Sequence, residues 1–121
     1  MSIPLTDLFD RALMRGGHTH TRKDIADGIA SGKYQYFGDD VACVITEVLD
    51  YPQDRRLHIF IAAGDYERII ERWLPELRAF ASEHGCSSIT TTARHGFLKR
   101  LPKIGWRPTH TVFELKLETM R

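Results

Sequence analysis

Apolar residues follow a helical period at the start of the chain and a strand-like pattern through its middle. Leu5, Leu8, Phe9, Ala12 and Leu13 fall at i, i+3, i+4, i+7 and i+8. That spacing predicts a first helix with one apolar face. Pro4 suits its start and Gly16-Gly17 its end. A second helix is predicted after Thr21, whose hydroxyl can cap it, with Asp24 at the capping-box position. Ile25 and Ile29 share a face and Gly32 stops the helix. The period then changes. Tyr34 to Phe37 reads as a short strand, and Gly38-Asp39-Asp40 as a turn. Val41 to Leu49 is apolar on both parities, as expected of a strand covered on both faces. Tyr51-Pro52-Gln53-Asp54 makes the next turn, and Leu57 to Ala63 is a second two-sided strand. Three strands in succession predict an antiparallel meander.

The longest helix is predicted from Asp65, a suitable N-cap, to Gly85. Ile69, Ile70, Trp73, Leu74, Leu77, Phe80 and Ala81 share its apolar face. Pro75 lacks an amide hydrogen and predicts a kink or split near Trp73-Leu74. Ser87 to Ala93 reads as a Thr-rich strand. A short helix with Phe97, Leu98 and Leu101 inward ends near Pro102. Trp106 to Leu117 reads as a last strand, with Thr109, Thr111, Phe113, Leu115 and Leu117 on one parity. The predicted order is α-α-β-β-β-α-β-α-β in a single domain over residues 1–121. The strand–helix–strand unit from Leu57 to Ala93 requires a parallel pair with a right-handed crossover. The class is therefore α+β, a mixed sheet with a central antiparallel meander, one parallel step, and helices on both faces.

Composition narrows the function classes. A chain of 121 residues with 42% hydrophobic residues can bury a core without staples. With 17 Lys+Arg against 16 Asp+Glu the net charge is +1, which supplies no footprint for nucleic acid or an anionic membrane. Cys43 and Cys86 lie in or beside apolar runs and outside any CxxC pair, so both read as buried thiols and no zinc site is expected. No leader pattern or membrane-length apolar run is present, so the expected location is the cytoplasm.

The end of the chain carries a resemblance. The stretch from Phe97 to Trp106 is similar to the helix that, in the GNAT N-acetyltransferase superfamily, closes with a Tyr-x-x-x-Gly-Phe pattern. Gly105 would end the helix and Trp106 open the last strand. The whole element order resembles that fold without its first strand. The chain also resembles short GNAT-like phage and prophage proteins, through the stretch from Gly16 to Ile29 and through Gly105-Trp106-Arg107-Pro108-Thr109.

The GNAT resemblance implies acetyl-CoA as cofactor, held where the third meander strand feeds the long helix. Backbone amides at a helix N-terminus cradle its pyrophosphate, and the family loop is Arg/Gln-x-x-Gly-x-Gly/Ala. Here the junction reads Ala62-Ala63-Gly64-Asp65-Tyr66-Glu67-Arg68. It has one glycine, two acidic residues and too few positions. Any retained CoA site would rest on the amides of Gly64, Asp65 and Tyr66. The family's proton-donating tyrosine corresponds to Leu101, which transfers no proton.

Glu47 and His58, on the two long strands, are the candidate general bases. Glu47 either is buried with a perturbed pKa or points outward; His58 either acts as a base or is a hydrogen-bonded strand histidine. His18 and His20 flank Thr19 like a metal pair but read equally as surface residues before a helix cap, and no metal is assigned. Arg94 and His95 either face an anion or are simply solvated.

Three readings follow. The first is a GNAT-like protein without acetyl transfer, acting in protein interaction or virion assembly beside phage structural proteins. The second is an acyl-CoA-dependent N-acetyltransferase with an atypical CoA loop, which predicts an open cleft between the Leu57 and Ser87 strands and free amides from Gly64 to Tyr66. The third is a small-molecule or anion binder. A missing first strand leaves a sheet edge that a second subunit, in a homodimer, can cover.

Overall fold

A computed structural model of the chain describes Asp10, Leu13, residues 19–93 and residues 96–117. Most of the first predicted helix lies outside the described residues, but Asp10 and Leu13 are helical. Helix α1, Arg22–Ser31, begins as its sequence requires. Thr21 accepts from the Asp24 amide while the Asp24 carboxylate accepts from the Thr21 amide, closing a capping box. Gly32 ends it in the left-handed region at φ 83°.

Four strands form one sheet in the order β1-β2-β3-β4: Tyr34–Gly38, Ala42–Tyr51, Asp54–Gly64 and Ser88–Thr91. The first three are an antiparallel meander, and β4 joins β3 in parallel. Between β3 and β4 the chain runs through α2 (Tyr66–Arg68), a π-helical turn (Ile69–Trp73) and α3 (Leu74–Glu83). The expected break before Pro75 takes the form of this wide turn. Leu74 donates to the Ile69 carbonyl, and Pro75, which has no amide hydrogen, sits in the first turn of α3 where none is needed.

Two cores sandwich the sheet. Val44, Leu57, Ile59, Leu74, Leu77 and Ala81 form one, against α3. Ile25, Tyr34, Ile45 and Ile61 form the other, beneath α1, with Leu13 and Phe60 packed on it. Gly28 lets α1 approach this closely, since a Cβ there would lie 2.1 Å from the Tyr34 ring. A bulge divides the work of β3. Thr46 pairs with Ile59 but Ile45 pairs with Ile61, which leaves Phe60 as the extra residue. Leu57 and Ile59 therefore face α3, whereas Ile61 faces α1. Both faces of the strand are thus covered, with Phe60 also packed on the α1 side, and apolar residues stand on both parities.

After β4 come α4 (Phe97–Arg100) and a 3-10 turn (Leu101–Ile104), closed by Gly105 at φ 95°. Trp106 packs on the α3-side core. The predicted last strand is the one element that differs. Residues 106–117 pair with no strand among the described residues. Alternating side chains are a condition for a strand, but its backbone also needs a neighbour, and here none is supplied. Cys43 is buried, Cys86 half-buried, and both are free thiols. No helix among the described residues is long and apolar enough to cross a membrane.

Candidate functional site at the end of the third strand

Gly64 closes β3 at φ 101°, and a Cβ there would lie 2.1 Å from the Val41 carbonyl oxygen. Only glycine fits this approach without strain. The following residue turns the chain into α2. The Asp65 amide donates to the Val41 carbonyl at 3.1 Å. The Asp65 carboxylate accepts from the Glu67 amide at 2.9 Å and the Arg68 amide at 3.4 Å. A helix N-terminus binds anions through such amides. Here they already hold an anion, which belongs to the chain itself. The residues present therefore do not fit a CoA pyrophosphate in the mode the resemblance implies. The free amide expected at Asp65 is engaged with Val41.

A second network fixes the same junction. Asp39, in the β1–β2 turn, accepts from the amides of Val41 and Ala42 at 2.9 and 3.2 Å. Its other oxygen accepts from Arg68 Nε at 2.7 Å and Trp73 Nε1 at 3.0 Å. The Val41 amide first, and then Arg68, hold the Asp39 carboxyl down at about 2. Arg68, the cation nearest the helix start in sequence, is thus turned toward Asp39. The π-helical turn places Trp73 within reach of the same carboxylate.

Tyr66 is covered by aromatic and cationic contacts. The Arg100 guanidinium lies 3.8 Å from its ring centroid and the Phe97 ring 6.0 Å away. These contacts join the segment after β3 to the segment after β4. The β3–β4 ladder runs from Arg56–Ser88 to Ile59–Thr91, and β3 continues through Gly64 without β4 beside it. Tyr66, Phe97 and Arg100 pack together beyond the end of this ladder.

Glu47 and His58 are brought together. They are directly opposite in the β2–β3 register, so both side chains point to the α1 side of the sheet. Tyr34 precedes Glu47 in the same row and Thr90 follows His58. His58 Nδ1 lies 2.9 Å from Thr90 Oγ1. Burial lowers the His58 pKa, and the Glu47 charge opposes that shift. His58 is thus a half-buried, hydrogen-bonded strand histidine one residue before the bulge. Glu47 also lines a groove of ≈ 680 Å³ with Lys33, Gln35, Arg55 and His84. That groove includes neither His58 nor any residue from Gly64 to Arg68.

His20 does not point to a metal site. It packs against Phe60 at 5.4 Å between centroids and lies 3.4 Å from the Tyr34 hydroxyl. His18, Arg94 and His95 lie outside the described residues. Among the described residues no group of His, Cys, Asp and Glu is placed to hold a metal ion. Asp39, Trp73, Thr90 and Arg100 were not candidates from the sequence. Asp39 carried a turn signal, but nothing in a separation of 29 or 34 residues points to Arg68 or Trp73.

Neither a protein-family model nor a curated protein matches the chain. Solved structures do. A predicted acetyltransferase from Clostridium acetobutylicum, crystallised with acetyl-CoA, is 18% identical at TM-score 0.62, over 93% of this chain and 87% of that one. An acetyltransferase from Trypanosoma brucei is 15% identical at TM-score 0.60, over 92% and 94%. A GNAT family acetyltransferase from Staphylococcus aureus is 13% identical at TM-score 0.59, over 91% and 84%. At these identities the likeness establishes the fold, and the fold is that of the GNAT acetyltransferases.

Proposed function

We propose that this chain is a GNAT-fold protein that has given up acetyl transfer and acts through contacts with other proteins. Virion assembly is the setting implied by its resemblance to short phage and prophage proteins. One observation carries the loss of chemistry: the Asp65 carboxylate occupies the amides of Glu67 and Arg68 where a pyrophosphate would have to sit. Displacing it would expose an unpaired carboxylate to an incoming polyanion, which electrostatics disfavours. Leu101, at the position of the family's proton donor, agrees with this reading.

The test is a thermal melt with acetyl-CoA. A ligand at 100 times its dissociation constant adds about 2.7 kcal/mol. For 121 residues that raises Tm by roughly 11 °C. No shift at millimolar acetyl-CoA is expected; a saturable rise overturns the proposal.

A second reading has its own observation. The Glu47–His58 pair, in register just before the end of the β3–β4 ladder at Ile59–Thr91, supports an acyl-CoA-dependent N-acetyltransferase with an atypical CoA loop. On that reading the saturable rise appears, and His58→Ala lowers turnover without abolishing it.

A further inference from the structure

Residues 107–117 leave the body of the protein and take no backbone hydrogen bond from any described residue. Their apolar side chains are as exposed as side chains become: Val112 76%, Phe113 91%, Leu115 85% and Leu117 88%. Four such side chains expose roughly 400 Å² of apolar surface. Apolar patches of a few hundred Å² on a single chain are often functional. Phe113, Leu115 and Leu117 share one parity, with Glu114 and Lys116 between them on the other.

We propose that this arm pairs antiparallel with the same arm of a second copy, about a two-fold axis through Leu115. The charge pattern selects this partner and this register. With Leu115 opposite Leu115, Phe113 meets Leu117 on the apolar face, and Glu114 of each copy meets Lys116 of the other. Sliding by one step that keeps the apolar face together puts Glu114 against Glu114 or Lys116 against Lys116. Sliding by half that step sets charges opposite apolar side chains. The arm is thus complementary to itself, as an isologous contact requires.

A free two-stranded ribbon is marginal in water, and the fold supplies further strands. β4 is an edge of the sheet, and Ser88-Ile89-Thr90-Thr91 holds no charge or proline to guard it. The outer edge of each paired arm seats on a β4 edge, so the two sheets become one through the dimer. Two arms together bring about 800 Å² of apolar side-chain surface. With the backbone and the β4 edges this approaches the ~1,200 Å² at which specific interfaces begin.

Sedimentation velocity on the full chain from 1 to about 500 μM tests this directly. Wild type is expected to dimerise. Glu114→Lys places like charges opposite each other twice per dimer and is expected to weaken dimerisation about tenfold. Lys116→Glu should do the same, and the double change Glu114→Lys with Lys116→Glu should restore the wild-type constant. Leu115→Ser should weaken it further, while far-UV circular dichroism and Tm at low concentration stay unchanged because the arm is exposed in the single chain. A wild type that stays monomeric throughout overturns the proposal. So does a dimer indifferent to Glu114→Lys, or a monomer whose arm amides are protected from exchange by its own β4.

Discussion

Replacing Asp65 separates the two things its carboxylate does. It accepts hydrogen bonds from Glu67 and Arg68, and it places negative charge at the positive end of a helix. Asp65→Ala removes both, and the loss of an N-cap of this kind costs about 1 kcal/mol. A 121-residue chain unfolds with roughly 0.25 kcal/mol/K of entropy. The expected fall in Tm is therefore about 4 °C. Asp65→Asn keeps an oxygen in the same place and discards the charge, so its Tm should fall by less than half as much. Calorimetry at low and high salt provides the check. The Ala deficit should survive high salt, because the bonds are short-range, whereas any Asn deficit should shrink. An Ala variant within about 1 °C of wild type would refute the cap as the reason the amides are closed to phosphate.

Three further outcomes follow from the same geometry. Leu77 is fully buried beneath α3, so Leu77→Ala should cost about 2.7–5 kcal/mol, or roughly 11–20 °C in Tm, measured by urea denaturation and by melting. Gly64→Ala must adopt positive φ and meet the Val41 carbonyl, so it should cost at least about 2 kcal/mol; a neutral result would mean the β2–β3 end is looser than described. Asp39 has its folded pKa held below the unfolded value, at about 2, so its contribution to stability is complete above the unfolded pKa near 3.8 and is lost as pH falls toward 2. The urea midpoints of wild type and Asp39→Asn should therefore converge on acidification through that window; a gap that stays constant with pH would contradict the assignment.

What could be read from the chain was local. Thr21, Asp24 and Gly32 announce α1 because caps act over three or four residues. Asp65 and Gly64 likewise announce a helix start, and Pro75 a break, although the break widens the turn before it. The meander was legible because its turns are short. The Glu47–His58 row was not, since it depends on register, and register here includes a bulge that no periodicity reveals. The Asp39–Arg68–Trp73 network was invisible for the same reason: it joins a turn to a helix that only folding brings near. The arm beyond Trp106 was read correctly as strand-like side-chain alternation. It was read incorrectly as a strand of this sheet, because alternation says which face is apolar and nothing about which backbone lies alongside.

The extra residue in β3 also decides how this protein tolerates insertion and deletion. Phe60 acts as a spacer between two reading frames of one strand. Leu57 and Ile59 are read by the α3 side, Ile61 by the α1 side. Deleting Phe60 would leave an uninterrupted strand in which every other residue keeps its partner and its layer. Ile61 would still meet Ile45 and keep its place under α1, and the loss would be the Phe60 ring from the α1-side core. A one-residue insertion or deletion in β3 away from this bulge would instead turn the residues beyond it to the opposite layer.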